Sequence, residues 1–169
     1  MKFKEEIKKN MKENSGYLIP LNKELYQKVI SEMIKPFKNK GINKVIAIDM
    51  KGLMYGSPIA YELKLPFVPI IKGGKVNKRV VIGKTFTDYS KKKKSLEIGK
   101  GTVTKKDKIL LVDDVFETGA AGKVAVGLIE KLGGKIKGIS IVQTKLKPED
   151  EAFFRKYDFH YITKSDNIK

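Results

Sequence analysis

The stretch ILLVDDVFETGAAG, from Ile109 to Gly122, decides the reading of this chain. Ile109, Leu110, Leu111 and Val112 form a short apolar run of the kind that makes a strand buried on both faces of a parallel sheet. The run ends in adjacent carboxylates, Asp113 and Asp114. A short loop with Thr118 and Gly119 then opens onto an apolar-periodic helix expected from Lys123 to Leu132. A strand emptying into a helix N-terminus leaves backbone N–H groups free and aims the positive end of the helix dipole at the loop, which favours an anion. Two carboxylates are wrong for phosphate but suit hydroxyls or a metal ion. A sugar phosphate satisfies both halves, with its diol on the acids and its phosphate on the loop. The competing account is an ordinary strand–turn–helix whose acids cap the helix; Thr118, Gly119 and the small residues after them weigh against it.

Outward from this stretch the pattern is α/β. Lys44 to Ile48 reads as a strand, residues 54–63 as a helix and Phe67 to Ile71 as a strand. Arg79 to Phe86 alternates weakly, and Ser95 to Ile98 reads as the returning arm of a long hairpin. Ile136 to Val142 is a further strand, and a helix near Glu149 to Lys156 and a strand around Phe159 to Ile162 follow. Upstream, Phe3, Ile7 and Met11 share one helix face, and Ser15–Gly16 breaks that helix. Tyr17, Leu18 and Ile19 read as a short extended piece ending at Pro20. Leu25, Val29, Met33 and Phe37 mark a second helix over 22–39, with a kink or early end at Pro36. Strands alternating with helices imply a largely parallel sheet with right-handed crossovers. Two further loops stand where such sheets bind ligands: Asp49-Met50-Lys51-Gly52 and Lys72-Gly73-Gly74-Lys75.

The Asp113–Asp114 segment resembles the phosphoribosyl-pyrophosphate (PRPP) signature of the type I phosphoribosyltransferases: four hydrophobics, two acids, then a Thr-Gly-x-small loop. Phe116 and Glu117 depart from it, standing where an aliphatic and a small residue are more frequent, and Ala121 replaces a frequent threonine. Tyr55-Gly56-Ser57-Pro58-Ile59-Ala60 is similar to the helix start of the adenine and xanthine branch. The resemblance implies a type I phosphoribosyltransferase-like fold, a central mostly parallel sheet flanked by helices with a small N-terminal hood and a flexible hairpin lid. It implies one domain over 1–169, with hood helices in 1–40, a core in 41–145 and a closing helix and strand in 146–169.

The resemblance also implies site roles. Asp113 and Asp114 would hold the ribose hydroxyls, directly or through Mg2+, the expected cofactor. Glu117, Thr118, Gly119, Ala120, Ala121 and Gly122 would wrap the 5′-phosphate. Asp49, Met50, Lys51 and Gly52, with Lys72 and Lys75, would grip pyrophosphate; family members often have a strained or cis peptide after the first residue of that loop. Asp88 would handle the proton on the base, with Tyr89 and Lys91 as lid contacts, and Lys91 to Lys94 would screen the pyrophosphate. Tyr17, Leu18 and Ile19 are the candidates for the base. Gln143 and Thr144 occupy the region where purine enzymes commonly have a glutamate. His160 lies in the last strand pattern, away from these loops, and is read as structural. The implied reaction is transfer of the phosphoribosyl group from PRPP to a purine, adenine first and xanthine, hypoxanthine or guanine as alternatives. A PRPP- or nucleotide-binding regulator of the same fold is the runner-up, and a dimeric scaffold the third reading.

Composition sets limits on these readings. The 169 residues carry a formal net charge of +17 and no cysteine, so disulfides and thiolate metal sites are excluded. All basic residues except Arg79 and Arg155 are lysine. Lysine is a hydrated point charge and lacks the fork that arginine uses for bidentate phosphate and base contacts, which disfavours nucleic acid as the partner. A positive field around a polyanionic small substrate is the better use of the charge. No apolar run approaches the roughly 18 residues of a membrane span, so a cytoplasmic protein without membrane partners is expected. Family members usually dimerise, and a homodimer is the implied assembly.

Overall fold

The computed structural model describes residues 2–75, 79–87 and 93–165. Its centre is a seven-stranded sheet. In chain order the strands are β1 (Lys44–Ile48), β2 (Phe67–Lys72), β3 (Val80–Ile82), β6 (Leu96–Gly99), β7 (Lys108–Phe116), β8 (Lys135–Thr144) and β9 (Phe159–Lys164), while β4 (Phe86–Thr87) and β5 (Lys93–Lys94) pair as a separate two-stranded ribbon. The spatial order is β3-β6-β2-β1-β7-β8-β9. Strands β2, β1, β7, β8 and β9 run parallel, and β6 and β3 add an antiparallel edge. That edge is the hairpin that the sequence places around Ser95 to Ile98.

Period-two alternation sorts the strand residues into two cores. Val45, Ala47, Leu110, Val112 and Val142 face one side, with helices α1 (Phe3–Asn14), α2 (Lys23–Ile34) and α3 (Lys51–Leu63) against them. Ile46, Ile48, Ile109, Leu111, Ile139 and Ile141 face the other, under α4 (Ala120–Lys131) and α5 (Pro148–Phe154). Apolar side chains on both faces are what a parallel strand in a three-layer sandwich requires. The chain leaves β1 through α3 to β2 on one side and returns to β7 on the other. The crevice beyond β1 and β7 is therefore a topological switch point, the place where open α/β sheets bind ligands.

The N-terminal helices form a layer on the sheet face. Ile7, Met11, Val29 and Met33 lie in the same core as β1 and β7, and only the turn between α1 and α2 approaches the crevice. Two local expectations change. Tyr17 to Ile19 is a turn leading into a 3-10 helix, Ile19–Leu21, instead of an extended piece. Its compactness lets Ile19 sink into the core. Helix α2 ends at Ile34 and continues as a 3-10 turn, Lys35–Phe37, as Pro36 demands, because proline lacks the N–H that the helix needs. Among the described residues no helix is long and apolar enough to cross a membrane.

Candidate active site

Three loops meet at the carboxyl ends of β1, β2 and β7 around a cavity of about 370 Å3. The loop after β1 contributes Asp49, Met50 and Lys51; β2 contributes Lys72; the end of β7 and the turn into α4 contribute Asp113, Asp114 and residues 115–122. The wall is completed by Ser15 and Tyr17 from the N-terminal turn and by Phe86 and Lys94 from the β4–β5 ribbon.

The acids are held tightly. Asp113 is buried, and its Oδ1 accepts the Asp114 backbone N–H at 2.8 Å. Burial, and then the negative charge of Asp114, push the Asp113 carboxyl well above the usual carboxylate range. Asp114 Oδ2 lies 2.6 Å from Lys51 Nζ. The same ammonium donates to the Ser15 carbonyl at 3.1 Å and stands 5.6 Å from the centre of the Tyr17 ring. Lys51 thus ties the N-terminal turn to the acid pair. Tyr55, on α3, is buried beside this group; burial and the Asp114 charge raise its hydroxyl pKa.

The loop after β1 is braced from the other side. The Asp49–Met50 peptide is cis. The Asp49 carboxylate accepts from the Lys72 backbone N–H at 3.2 Å and pairs with Lys75 Nζ at 2.8 Å. Asp49 therefore joins the loops after β1 and β2 through its side chain. Gly52 fits because a Cβ there would lie 2.7 Å from Asp113 Oδ1 and 3.1 Å from Asp113 Cα, so the first turn of α3 presses directly on the acid.

The loop 117–122 rests on the segment after β8. Gly119 has φ +73, and a Cβ on it would meet Phe154 at 2.7 Å and Leu146 at 3.1 Å. A Cβ on Gly122 would meet Phe116 at 2.7 Å and Phe154 at 3.0 Å. Here glycine supplies both a left-handed backbone and the room for a close approach. In the first turn of α4 the Ala120 N–H donates to Thr118 Oγ1 at 3.4 Å and the Lys123 N–H to the Gly119 carbonyl at 2.8 Å. The amides of Ala121 and Gly122 have no carbonyl four residues earlier within the helix and are available to an anion.

A hard-oxygen pair opposite an anion cradle, bridged by a lysine-bearing loop, has the chemistry that a phosphorylated sugar requires. The family model described as "Phosphoribosyl transferase domain" matches residues 18–169. The chain belongs to that phosphoribosyltransferase family. It is 33% identical over 121 residues to an adenine phosphoribosyltransferase of Shewanella sp. (strain ANA-3), covering 72% of this chain and 65% of that enzyme. It is 36% identical over 115 residues to the adenine phosphoribosyltransferase of Proteus mirabilis (strain HI4320), covering 68% and 62%. The chain thus spans a little under two thirds of the length of these relatives. The crystal structure of the Giardia lamblia enzyme complexed with 9-deazaadenine superposes with a TM-score of 0.79 at 25% identity, over 88% of this chain and 83% of that one. The type I phosphoribosyltransferase fold is shared.

Against this family background the individual residues fall as follows. Asp49, Met50, Lys51, Lys72, Asp113, Asp114 and all six residues from Glu117 to Gly122 line the cavity; Gly52 and Lys75 stand immediately behind it. Tyr17 lines the cavity, whereas Leu18 does not. The Ile19 side chain is fully buried among α1, α2 and the sheet and does not line the cavity. Asp88, Tyr89 and Lys91 lie outside the described residues. Gln143 and Thr144 are buried within β8, with Gln143 donating to Thr163, and take no part in the cavity. His160 packs edge-on to Phe37, and burial lowers its pKa.

Sequence reasoning gave no site role to Ser15, Phe86, Lys145 or Phe154. Phe86 stands shortly before the expected lid acid, and an aromatic there was the available signal. Glu97 was also missed: it is buried on β6, and its Oε1 accepts the Gly74 N–H at 2.7 Å, which anchors the loop after β2. Among the described residues no cluster of three or more acidic or imidazole groups makes a protein metal cage. Two carboxylates beside a phosphate site do suit Mg2+, which keeps several waters and binds through one or two carboxylates plus substrate phosphates.

Proposed function

We propose that this protein transfers the 5-phosphoribosyl group of PRPP to a purine base, adenine foremost, releasing pyrophosphate and forming a nucleoside monophosphate. The convergence of the loops after β1, β2 and β7 on one cavity is the observation that carries this reading. In it, Asp113 and Asp114 take the ribose hydroxyls, the amides of 118–122 take the 5′-phosphate, and the loop 49–52 with Lys72 takes the pyrophosphate. Asp113 and Asp114 would hold Mg2+ bound together with PRPP, and the ion would supply charge neutralisation at the leaving pyrophosphate. Catalysis then rests on positioning and on fixed positive charge where negative charge develops. Lys51 can move from Asp114 to the incoming phosphates when sugar hydroxyls replace it on the carboxylate. Tyr17 and Phe86, on the cavity wall, offer aromatic surface to the base.

The adenine preference is supported by the names of the relatives; a homodimeric assembly and a cytoplasmic setting belong to the same proposal as what is usual in the family. The test is pyrophosphate release from PRPP and Mg2+ with adenine, hypoxanthine, guanine, xanthine, uracil and orotate offered separately. Turnover is expected with adenine. Measurable PRPP binding without turnover on any base would replace the enzyme with a PRPP-sensing regulator. Asp88 is carried over from the sequence as the group that handles the purine proton. Asp88→Asn should lower kcat far more than PRPP affinity, and unchanged turnover would remove it from that role.

A further inference from the structure

The 5′-phosphate loop of this chain begins with an acid, Glu117, in a place where an anion is to bind. Its side chain is largely buried, lines the cavity and has one oxygen, Oε1, 2.9 Å from Lys145 Nζ. The other oxygen, Oε2, is shut off from solvent and has no hydrogen-bond partner among the described residues. Sheet register delivers Lys145 to this position. Phe116 pairs with Thr144 across β7 and β8, and the next residue's N–H donates to the Phe116 carbonyl at 2.8 Å. Lys123, on the first turn of α4, is engaged by Asp150 at 2.5 Å. Lys145 is therefore the cation matched to Glu117.

We infer that the Glu117–Lys145 pair sets the affinity of this loop for a sugar phosphomonoester, Glu117 opposing the phosphate and Lys145 cancelling that opposition. The inference rests on the proposed function only in assigning the phosphate to residues 117–122. An unpaired carboxylate in a half-buried cavity repels a dianion far more strongly than it would in water, because screening there is weak. An unpaired ammonium in the same place attracts it. The two partners therefore act with opposite sign on the ligand. A pair with a purely structural role would give the same sign from both ends, since losing either partner would loosen the loop.

Calorimetric titration of the intact protein with ribose 5-phosphate separates these cases, with apo unfolding followed alongside. Lys145→Met should weaken binding about tenfold or more, and Glu117→Gln should tighten it severalfold. The double variant should return close to the wild type, and Lys145→Arg, which keeps the charge, should stay within about twofold of it. Equal weakening by Glu117→Gln and Lys145→Met, or no change from either, would overturn the inference and leave the site assignment standing. Failure of the wild-type protein to bind ribose 5-phosphate would overturn the site assignment itself.

Discussion

Lys51 Nζ lies 2.6 Å from Asp114 Oδ2, and no other lysine approaches the acid pair so closely among the described ion pairs. Burial works against the ammonium, but the charge and hydrogen bond of Asp114, with Tyr17 and Asp113 behind it, outweigh that effect and hold the Lys51 pKa above its ordinary value. Lys51→Met leaves a poorly solvated carboxylate without its partner, at a cost of about 1–3 kcal/mol in unfolding free energy. Urea titration should register that loss. PRPP affinity should fall about tenfold or more, because the loop 49–52 loses its cation; unaltered affinity would remove Lys51 from the pyrophosphate role.

Asp113 gives the protein a pH dependence of its own. Its folded-state pKa is raised by burial and by Asp114, so between the ordinary aspartate value of about 3.9 and the raised value the native state holds a proton that the unfolded chain has released. This contribution to stability is complete below the unfolded pKa and is lost as pH rises through the folded one. Asp113→Asn keeps the acceptor for the Asp114 N–H and abolishes the titration. The variant should melt at a higher temperature than the wild type at pH 7.5, with the gap closing towards pH 4, while its PRPP affinity drops. A gap that widens on acidification would contradict the assignment.

Gly52→Ala tests the contact between α3 and Asp113. Alanine within a helix ordinarily stabilises by about 1 kcal/mol relative to glycine. Here the new methyl would lie 2.7 Å from Asp113 Oδ1 and 3.2 Å from the Val112 carbonyl, and overpacking of this kind costs about 1–3 kcal/mol. The expected sign is therefore destabilisation, together with weaker binding of both PRPP and pyrophosphate. A rise in melting temperature would show that α3 can lift away from β7 freely.

Phe154→Ala removes the ring against which Gly119 and Gly122 are packed. The Phe154 ring also packs at a tilt against Phe116, with ring centres 4.7 Å apart, and its truncation should cost about 3–5 kcal/mol. Measured at a temperature where the variant remains folded, ribose 5-phosphate should bind more weakly, while pyrophosphate, gripped by the loops after β1 and β2, should be little affected. Equal loss for both ligands would indicate general loosening.

The local part of this structure was legible because its signals are local. Lys44 to Ile48 reads as a strand from composition alone and is one, whereas the strand expected to end at Asp113 and Asp114 runs on to Phe116, because its pairing with β8 continues past the acids. Gly52 starts α3 at Lys51, three residues earlier than apolar periodicity indicates, because glycine adds nothing to the pattern. Tyr17 to Ile19 misled for a similar reason: three apolar residues before Pro20 fit a strand, but burial of Ile19 against α1 requires a compact turn. The lysines were the least legible. Lys51 and Lys75 stand out only through their place in the loops after β1 and β2, and at this density no pattern distinguishes Lys145 from its solvated neighbours. Asp114, Asp49 and Glu117 select them, and those partners arrive from other strands.

Gly119 and Gly122 are seated on Phe154, which belongs to a helix made well after them in the chain. A translating ribosome therefore releases the whole Asp113–Gly122 segment before the wall that shapes it exists. Until α5 emerges, the loop can hold no ligand, and a fragment ending between α4 and β8 should carry the complete signature yet leave ribose 5-phosphate unbound. By the same token the segment is not portable. Transplanted into another parallel sheet, it would need Phe154, Leu146 and Lys145 to travel with it.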